Sequence, residues 1–534
     1  MKRASGVLLP VSSLPSKYGI GCFSKEAYKW IDQLKEAGQS YWQILPLSPT
    51  SYGDSPYQSF SSFAGNPYFI DLEELIAEGV LTKKECDAVD FGDNASYVDY
   101  GKIYENRFKL LRLAYERSNI NENQEYHKFV WENGYWLNDY ALFMAVKGKF
   151  DGAAWSEWAD DIKRRYNFAL DYYRKECYFE IEFYKYLQFV FAKQWKKLKA
   201  YANENGIEII GDMPIYVAVD SADAWASPEL FQFNENFEPT SVAGCPPDGF
   251  SADGQLWGNP LYRWDYHKQT DYEWWAKRMA HSFSLYDVVR IDHFRAFDEY
   301  FSIPYGDTNA KNGHWVQGPG IDLFRRLEAK LGKQQIIAED LGFQTPTVEQ
   351  LLKDSGYPGM KVLEFAFDPR EKSNYLPHSY DRNCIVYTGT HDNETLVQWY
   401  KGLDKESRAF AEEYLNNKNT PEDEKYWDFV RLAMMSCANT CVIPAQDYLG
   451  LDKEARVNFP STLGENWKWR INSRMFTKAL IKKIYALTKI SERLSEAAMA
   501  EIEEAKKAEA AKKAAEAAKK AEAAKKAEAE KTEE

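Results

Sequence analysis

Val288-Val289-Arg290-Ile291-Asp292-His293-Phe294 is an apolar run that ends in ionisable side chains, the pattern of a buried strand delivering polar groups to the mouth of a cleft. Arg290 and Asp292, two residues apart, share one face of such a strand. Two later stretches repeat the pattern: Gln335-Ile336-Ile337-Ala338-Glu339-Asp340 and Cys384-Ile385-Val386-Tyr387-Thr388-Gly389-Thr390-His391-Asp392 each run through β-formers into a carboxylate. Short β-rich runs alternating with longer helical segments call for parallel strands joined by helical crossovers. Functional groups at strand C-termini are the habit of (β/α)8 barrels. The expected class is α/β, a (β/α)8 TIM barrel with large, mostly helical insertions and a C-terminal helical tail rich in Ala, Lys and Glu.

Working outward, five more runs complete the set of eight strands: Gly6-Val7-Leu8-Leu9-Pro10, Tyr41-Trp42-Gln43-Ile44-Leu45-Pro46-Leu47, Ile207-Glu208-Ile209-Ile210-Gly211-Asp212-Met213-Pro214, Gly359-Met360-Lys361-Val362-Leu363-Glu364-Phe365-Ala366-Phe367-Asp368 and Cys441-Val442-Ile443-Pro444-Ala445-Gln446-Asp447. Residues 1–495 are read as one catalytic barrel domain. A helical subdomain is expected at about 72–201, a pattern too long for a single crossover, and a second insertion, bearing a lid, at about 217–285. The stretch 53–67 is too rich in turn formers for a regular element and too aromatic for a flexible linker, so it is read as an ordered binding loop in which Phe60 and Phe63 are anchors. Residues 244–260 carry Phe250 and Trp257 among glycines and prolines and are read as an active-site lid, and residues 301–320 as loop. An amphipathic helix around Leu480, Ile481, Ile484, Leu487 and Leu494 closes the outer ring. Residues 496–534 form a solvated tail, whose approximate Ala-Glu-Ala-Ala-Lys-Lys repeat places Glu509 and Lys513 at favourable i,i+4 spacing.

Of 534 residues, 45% are hydrophobic and 28% charged, which excludes a mainly disordered chain. A net charge of −14 disfavours nucleic acid, whose binding needs clustered Lys and Arg. A neutral ligand fits better, and the 17 Trp and 36 Tyr supply flat rings suited to sugar faces as well as to a core. The seven scattered cysteines read as reduced thiols. The apolar run after Met1-Lys2-Arg3 is too short for a signal-peptide core and no long uncharged span follows, so the expectation is a cytoplasmic protein with no membrane partner.

Glycosidic bonds are cleaved by two carboxyl groups, one protonating the leaving oxygen and the other attacking or stabilising the anomeric carbon. Arg290 favours the ionised form of Asp292, which suits a nucleophile, while Glu339 suits the acid/base role if burial or a neighbouring carboxylate raises its pKa. His391 and Asp392 are placed to bind ring hydroxyls and hold a distorted sugar. Simple hydrolysis and catalytically silent glycan binding remain open at this level of reading.

Arg290-Ile291-Asp292-His293, Ala338-Glu339-Asp340-Leu341 and Thr390-His391-Asp392-Asn393 resemble the three catalytic motifs of the α-amylase superfamily. With Gly53-Asp54-Ser55-Pro56-Tyr57, Pro246-Pro247-Asp248, Gly254-Gln255-Leu256-Trp257-Gly258-Asn259-Pro260, Phe365-Ala366-Phe367-Asp368 and Gln446-Asp447, the set resembles the 4-α-glucanotransferases, or amylomaltases, from about Gly6 to about Arg470. The resemblance implies a retaining double displacement. Segments of an α-1,4-glucan or maltooligosaccharide donor would pass to the 4-hydroxyl of glucose or a maltooligosaccharide. Asp292 would hold the covalent intermediate, Glu339 serve as acid then base, and Asp392 stabilise the transition state. It also implies substrate contacts from Tyr57, Ser55, Asp212, Asp248, Gln255, Trp257, Arg290, His391 and Asp368. No metal or organic cofactor is implied.

Overall fold

The computed structural model describes residues 1–51, 53–247, 251–342, 344–417 and 419–532. In chain order the strands are β1 (Ala4–Leu8), β2 (Tyr41–Gln43), β3 (Glu208–Met213), β4 (Ser241–Cys245), β5 (Gln255–Pro260), β6 (Val288–Ile291), β7 (Glu299–Pro304), β8 (His314–Gln317), β9 (Ile336–Ala338), β10 (Gly359–Val362), β11 (Cys384–Tyr387) and β12 (Thr440–Pro444). Eight of them form a parallel sheet in the order β10-β11-β12-β1-β2-β3-β6-β9. Its two edges meet where Ala338 N–H donates to Pro358 O at 3.0 Å and Met360 N–H to the Asp340 carboxylate at 2.7 Å, which nearly closes the expected (β/α)8 barrel.

The two-residue period of a strand separates two cores. Leu8, Tyr41, Ile210, Val288, Ile337, Met360, Val362, Ile385, Tyr387 and Val442 pack together inside the barrel. Val7, Trp42, Ile209, Val289, Ile291, Ile336, Val386 and Ile443 face the helices. By that alternation Arg290 and Asp292 follow Val288 to the interior, Asp212 follows Ile210, and Glu339 follows Ile337. The functional side chains therefore sit on one rim.

The helix Lys25–Glu36 buries Ala27, Trp30, Ile31 and Leu34, and Gly38 beyond its end takes φ 71°. In the 72–201 segment the helices end in a 27-residue helix, Tyr178–Glu204, which runs directly into β3. This helix also fixes the 53–67 loop: the Gln188 amide donates to Gly65 O at 2.8 Å and accepts from Gly65 N–H at 2.7 Å. Phe63 is buried against Trp136, Trp274 and His281, and Phe60 packs on Phe143, so both serve as anchors. Arg493 is fully buried and donates to the carbonyls of Ala4, Met434, Ser436, Ala438 and Asn439 at 2.8–3.2 Å, clamping the base of β1 and the approach to β12.

Several boundaries differ from the sequence expectation. The 244–260 stretch supplies β5 and the end of β4, which pair within a four-stranded antiparallel sheet, β5-β4-β7-β8. The supposed loop 301–320 supplies β8 and most of β7. Pairing of β7 with β4 and of β8 with β7 stabilises these short runs, and no local periodicity reveals it. Strands β10, β11 and β12 stop at Val362, Tyr387 and Pro444, short of Asp368, Asp392 and Asp447. Beyond Tyr387, bonds from Thr388 Oγ1 to Asp447 at 2.5 Å and from Thr390 N–H to Asn393 Oδ1 at 2.9 Å replace the ladder.

The tail is part of a 37-residue helix, Glu496–Thr532, and residues 503–525 are exposed throughout. Lys513 pairs with Glu509 at 2.7 Å as the spacing predicts. Among the described residues none of the seven cysteines forms a disulfide. Among the described residues no helix is long and apolar enough to cross a membrane.

Candidate active site

Register builds the centre of the site: Asp212 on β3 lies beside Arg290 on β6. Arg290 Nη1 reaches both Asp212 oxygens at 2.7 Å and Asp292 Oδ1 at 3.2 Å. Arg290 is 3% and Asp212 2% exposed. Burial opposes the guanidinium charge, but Asp212 and Asp292 outweigh it and hold its pKa well above the ordinary value. The guanidinium is thus a fixed positive charge under Asp292. Tyr57 from the 53–67 loop donates to Asp212 Oδ2 at 2.7 Å. Burial, reinforced by the Asp212 charge, keeps that phenol protonated. Its ring stacks on His391 at 5.2 Å between centroids and 13° between planes.

Glu339 follows β9 and is buried, with both oxygens occupied by backbone N–H groups: His293 N at 2.6 Å and Leu341 N at 2.9 Å. Those donors favour its anion. Burial nevertheless pushes Glu339 up, against Arg290 and the two N–H groups. Burial pushes Asp292 up further, with Arg290 pulling down and Asp212, Glu339 and Asp392 adding like charge. Arg290 therefore does not leave Asp292 with an ordinary, freely ionised carboxyl, as the sequence alone suggests. Desolvation and like charge on the rim thus favour the protonated form of both carboxyls, with Arg290 opposing.

His391 and Asp392 lie beyond β11. His391 is 3% exposed, and burial lowers its pKa despite the neighbouring Asp392, so its imidazole is neutral at neutral pH. Its Nε2 lies 3.4 Å from Asp392 Oδ2. Asn458 Nδ2 donates to Asp392 Oδ1 at 2.7 Å, and Arg456 Nη2 to Asp392 O at 3.0 Å. Neither Asn458 nor Arg456 is singled out by the sequence reading. They lie more than sixty positions from Asp392 in a segment without motif or periodicity, so only the fold reveals them.

Trp257 on β5 sets its ring edge-on to His293, centroids 4.8 Å apart, and donates to Gln255 Oε1 at 3.0 Å. His293 is the residue whose N–H holds Glu339, so the hairpin touches the acid's own support. Gln58 of the 53–67 loop bonds Asn259 at 3.1 Å and joins loop to hairpin. Ser55 Oγ accepts from Tyr57 N–H at 3.3 Å and shapes the loop. Asp368 is not drawn into this cluster: its carboxylate is taken by Arg370 at 2.7 and 2.9 Å near the surface, which holds its pKa low. Asp248 and Phe250 lie outside the described residues.

A family model described as 4-alpha-glucanotransferase matches residues 9–477. A 4-alpha-glucanotransferase of Clostridium butyricum is 49% identical over 482 residues, covering 90% of this chain and 99% of that protein. One from Thermus thermophilus is 43% identical over 503 residues, covering 92% and 100%. The solved amylomaltase of Streptococcus agalactiae, in complex with acarbose, superposes with a TM-score of 0.89 at 42% identity, over 92% of this chain and 100% of that one. Near-complete coverage in both directions at such identity leaves one conclusion, that this chain belongs to the 4-alpha-glucanotransferase family.

Proposed function

We propose that this protein transfers a segment of an α-1,4-glucan to the 4-hydroxyl of glucose or a maltooligosaccharide by a retaining double displacement. Asp292 is the nucleophile, Glu339 the acid and then the base, and Asp392 the stabiliser of the oxocarbenium-like transition state. The observation that carries the reading is the bonded assembly Asp212–Arg290–Asp292, buried at Asp212 and Arg290, with Glu339 and Asp392 on the same rim.

The geometry supports these roles step by step. Arg290, bonded to Asp292, favours its anion, and burial favours a protonated Glu339. Glu339 protonates the departing glycosidic oxygen while Asp292 Oδ attacks carbon 1, giving a covalent glycosyl ester. An acceptor 4-hydroxyl then gives its proton to Glu339 and attacks the same carbon, which releases Asp292 and restores the α configuration. Tyr57, Arg290 and His391 line the donor sugar, and Gln255 and Trp257 contact the chain from the hairpin. Transfer beats hydrolysis when the cleft holds the acceptor in place and keeps loose water out.

Incubation with maltotriose tests the whole reading. The parent protein should give glucose plus longer oligomers with few new reducing ends. Asp292→Asn should fold normally and lose activity by roughly three orders of magnitude or more, as removal of a covalent nucleophile does. Near-parental turnover in that variant would remove the nucleophile assignment. A product mixture of glucose and maltose alone would replace transferase by hydrolase.

A further inference from the structure

Behind the loop that carries His391 and Asp392 lie two more acids that the scheme above does not use, Asp447 buried and Glu364 partly buried. Glu364 stands in the short turn Leu363–Phe365 after β10, and Asp447 in the helix Ala445–Leu449 after β12. Asp447 is 1% exposed and accepts from Thr388 Oγ1 at 2.5 Å and Leu396 N–H at 2.9 Å, so it grips both ends of the intervening loop. Glu364 N–H donates to Thr388 O at 3.2 Å, while its side chain runs beneath the loop. A Cβ placed on Gly389 would fall 2.7 Å from Glu364 Oε1 and 3.1 Å from Asn393 Cβ. The glycine is what lets the loop lie this low.

From Glu364 a short relay leads to Asp392. Asn393 flanks Gly389 together with the Glu364 carboxyl, its Oδ1 accepts from Thr390 N–H and Oγ1 at 2.9 and 2.8 Å, and Thr390 Oγ1 accepts from Asp392 N–H at 3.2 Å. Glu364 Oε1 is itself buried without a hydrogen-bond partner among the described residues. A buried carboxylate oxygen left so is costly unless the group carries a proton.

We propose that Glu364 is a positioning residue for the transfer reaction, its side chain packed as a neutral acid under Gly389 and Asn393 and setting the height of the loop that presents Asp392. The groups facing it from neighbouring elements are Asp447, Glu394, Arg456 and Asn393. Burial, together with the like charges of Asp447 and Glu394, pushes Glu364 well above the ordinary carboxyl range, against Arg456 and Asn393. Burial likewise raises Asp447 to about 7. An anionic Glu364 would add a second negative charge to this closed space and lift the loop. Its neutral form fills the space and nothing more.

The inference rests on Asp392 acting at the reacting sugar, so Asp392→Asn is measured alongside: if it retains full turnover, the site reading fails. If it is inactive, the Glu364 results stand on their own. The experiment takes kcat and KM on maltotriose for the full chain from pH 5 to 8. Glu364→Gln, a permanent copy of the neutral acid, should keep kcat within about threefold and retain the parental pH profile, while Glu364→Ala should lower kcat about tenfold or more with KM little changed. A Gln variant as damaged as the Ala variant would show that the charge is needed and overturn the proposal. An Ala variant with parental kcat would overturn it too. Should Glu364→Ala fail to fold, Gly389→Ala supplies the second route. It should lower kcat by pressing on Glu364, and the added change Glu364→Asp, which shortens the side chain by one methylene, should restore at least about threefold. No recovery in the double variant would count against the contact as the means by which position is set.

Discussion

Truncating Asn458 tests whether the acid on the far rim needs a fixed orientation. Among the described residues, the 2.7 Å bond from Asn458 Nδ2 is the short side-chain contact that orients the Asp392 carboxylate, since the other near group, His391 Nε2, lies at 3.4 Å. The remaining bonds of Asn458 are made by its backbone, N–H to His391 O at 3.2 Å and O from Arg456 Nε at 2.8 Å, and they survive in Asn458→Ala. A hydrogen bond to an ionised group contributes about 1.5–3 kcal/mol. The Asp392 side chain is 46% exposed, so water replaces part of the lost bond and the low end applies. A loss of about 1–2 kcal/mol of transition-state stabilisation converts to roughly 5- to 30-fold in kcat. KM should change less, because the carboxylate acts on charge that develops after binding. Initial rates of glucose release from maltotriose give both constants. Asn458→Asp should lose more than Asn458→Ala, because it sets a like charge against Asp392. A kcat for Asn458→Ala within twofold of the parent, or a loss carried by KM alone, would refute the orientation argument.

Trp257→Ala should raise the ratio of hydrolysis to transfer on maltotriose, since the indole covers His293 and the backbone that holds Glu339. An unchanged ratio in a folded, active variant would take Trp257 out of the mechanism. Removing residues 505–534 should leave turnover and melting temperature near parental, because residues 505–525 are exposed throughout. Arg493→Ala, in contrast, removes a donor from each of five carbonyls and should destabilise the fold by about 3 kcal/mol or more, read from denaturant unfolding. His267 is 0% exposed; its Nε2 faces Leu230 O at 3.2 Å and its Nδ1 has no partner among the described residues. Burial, partly offset by that carbonyl, lowers its pKa to about 4. The unfolded chain, with a His pKa of about 6.5, binds more protons across that window, so stability is fully present above about pH 6.5 and falls as pH drops toward 4, by on the order of 2 kcal/mol at pH 5. Unfolding midpoints from pH 7 to 5 check this, and His267→Gln should flatten the slope.

The barrel was legible in the sequence because each of its strands is a short apolar run that any reader of periodicity can find. A two-residue period carries Arg290 and Asp292 to one face whatever lies around them. The three motif carboxylates were legible for the same reason, as strand ends marked by charge. Partners were not. Whether Asp368 joins the cluster or is taken by Arg370, and whether Glu364 ends in solvent or under Gly389, depends on where chain segments far apart in number come to rest. The hairpin of β4 and β5 and the strands β7 and β8 escaped notice because their stability comes from pairing with one another rather than from local pattern. Protonation belongs to the tertiary level above all. Beside Arg290 in the sequence, Asp292 reads as an ordinary anion, yet the folded rim takes most of it out of water and surrounds it with Asp212, Glu339 and Asp392. Local sequence decides which groups exist and which way they face, whereas desolvation and like-charge crowding arise only when the barrel closes and brings those faces together.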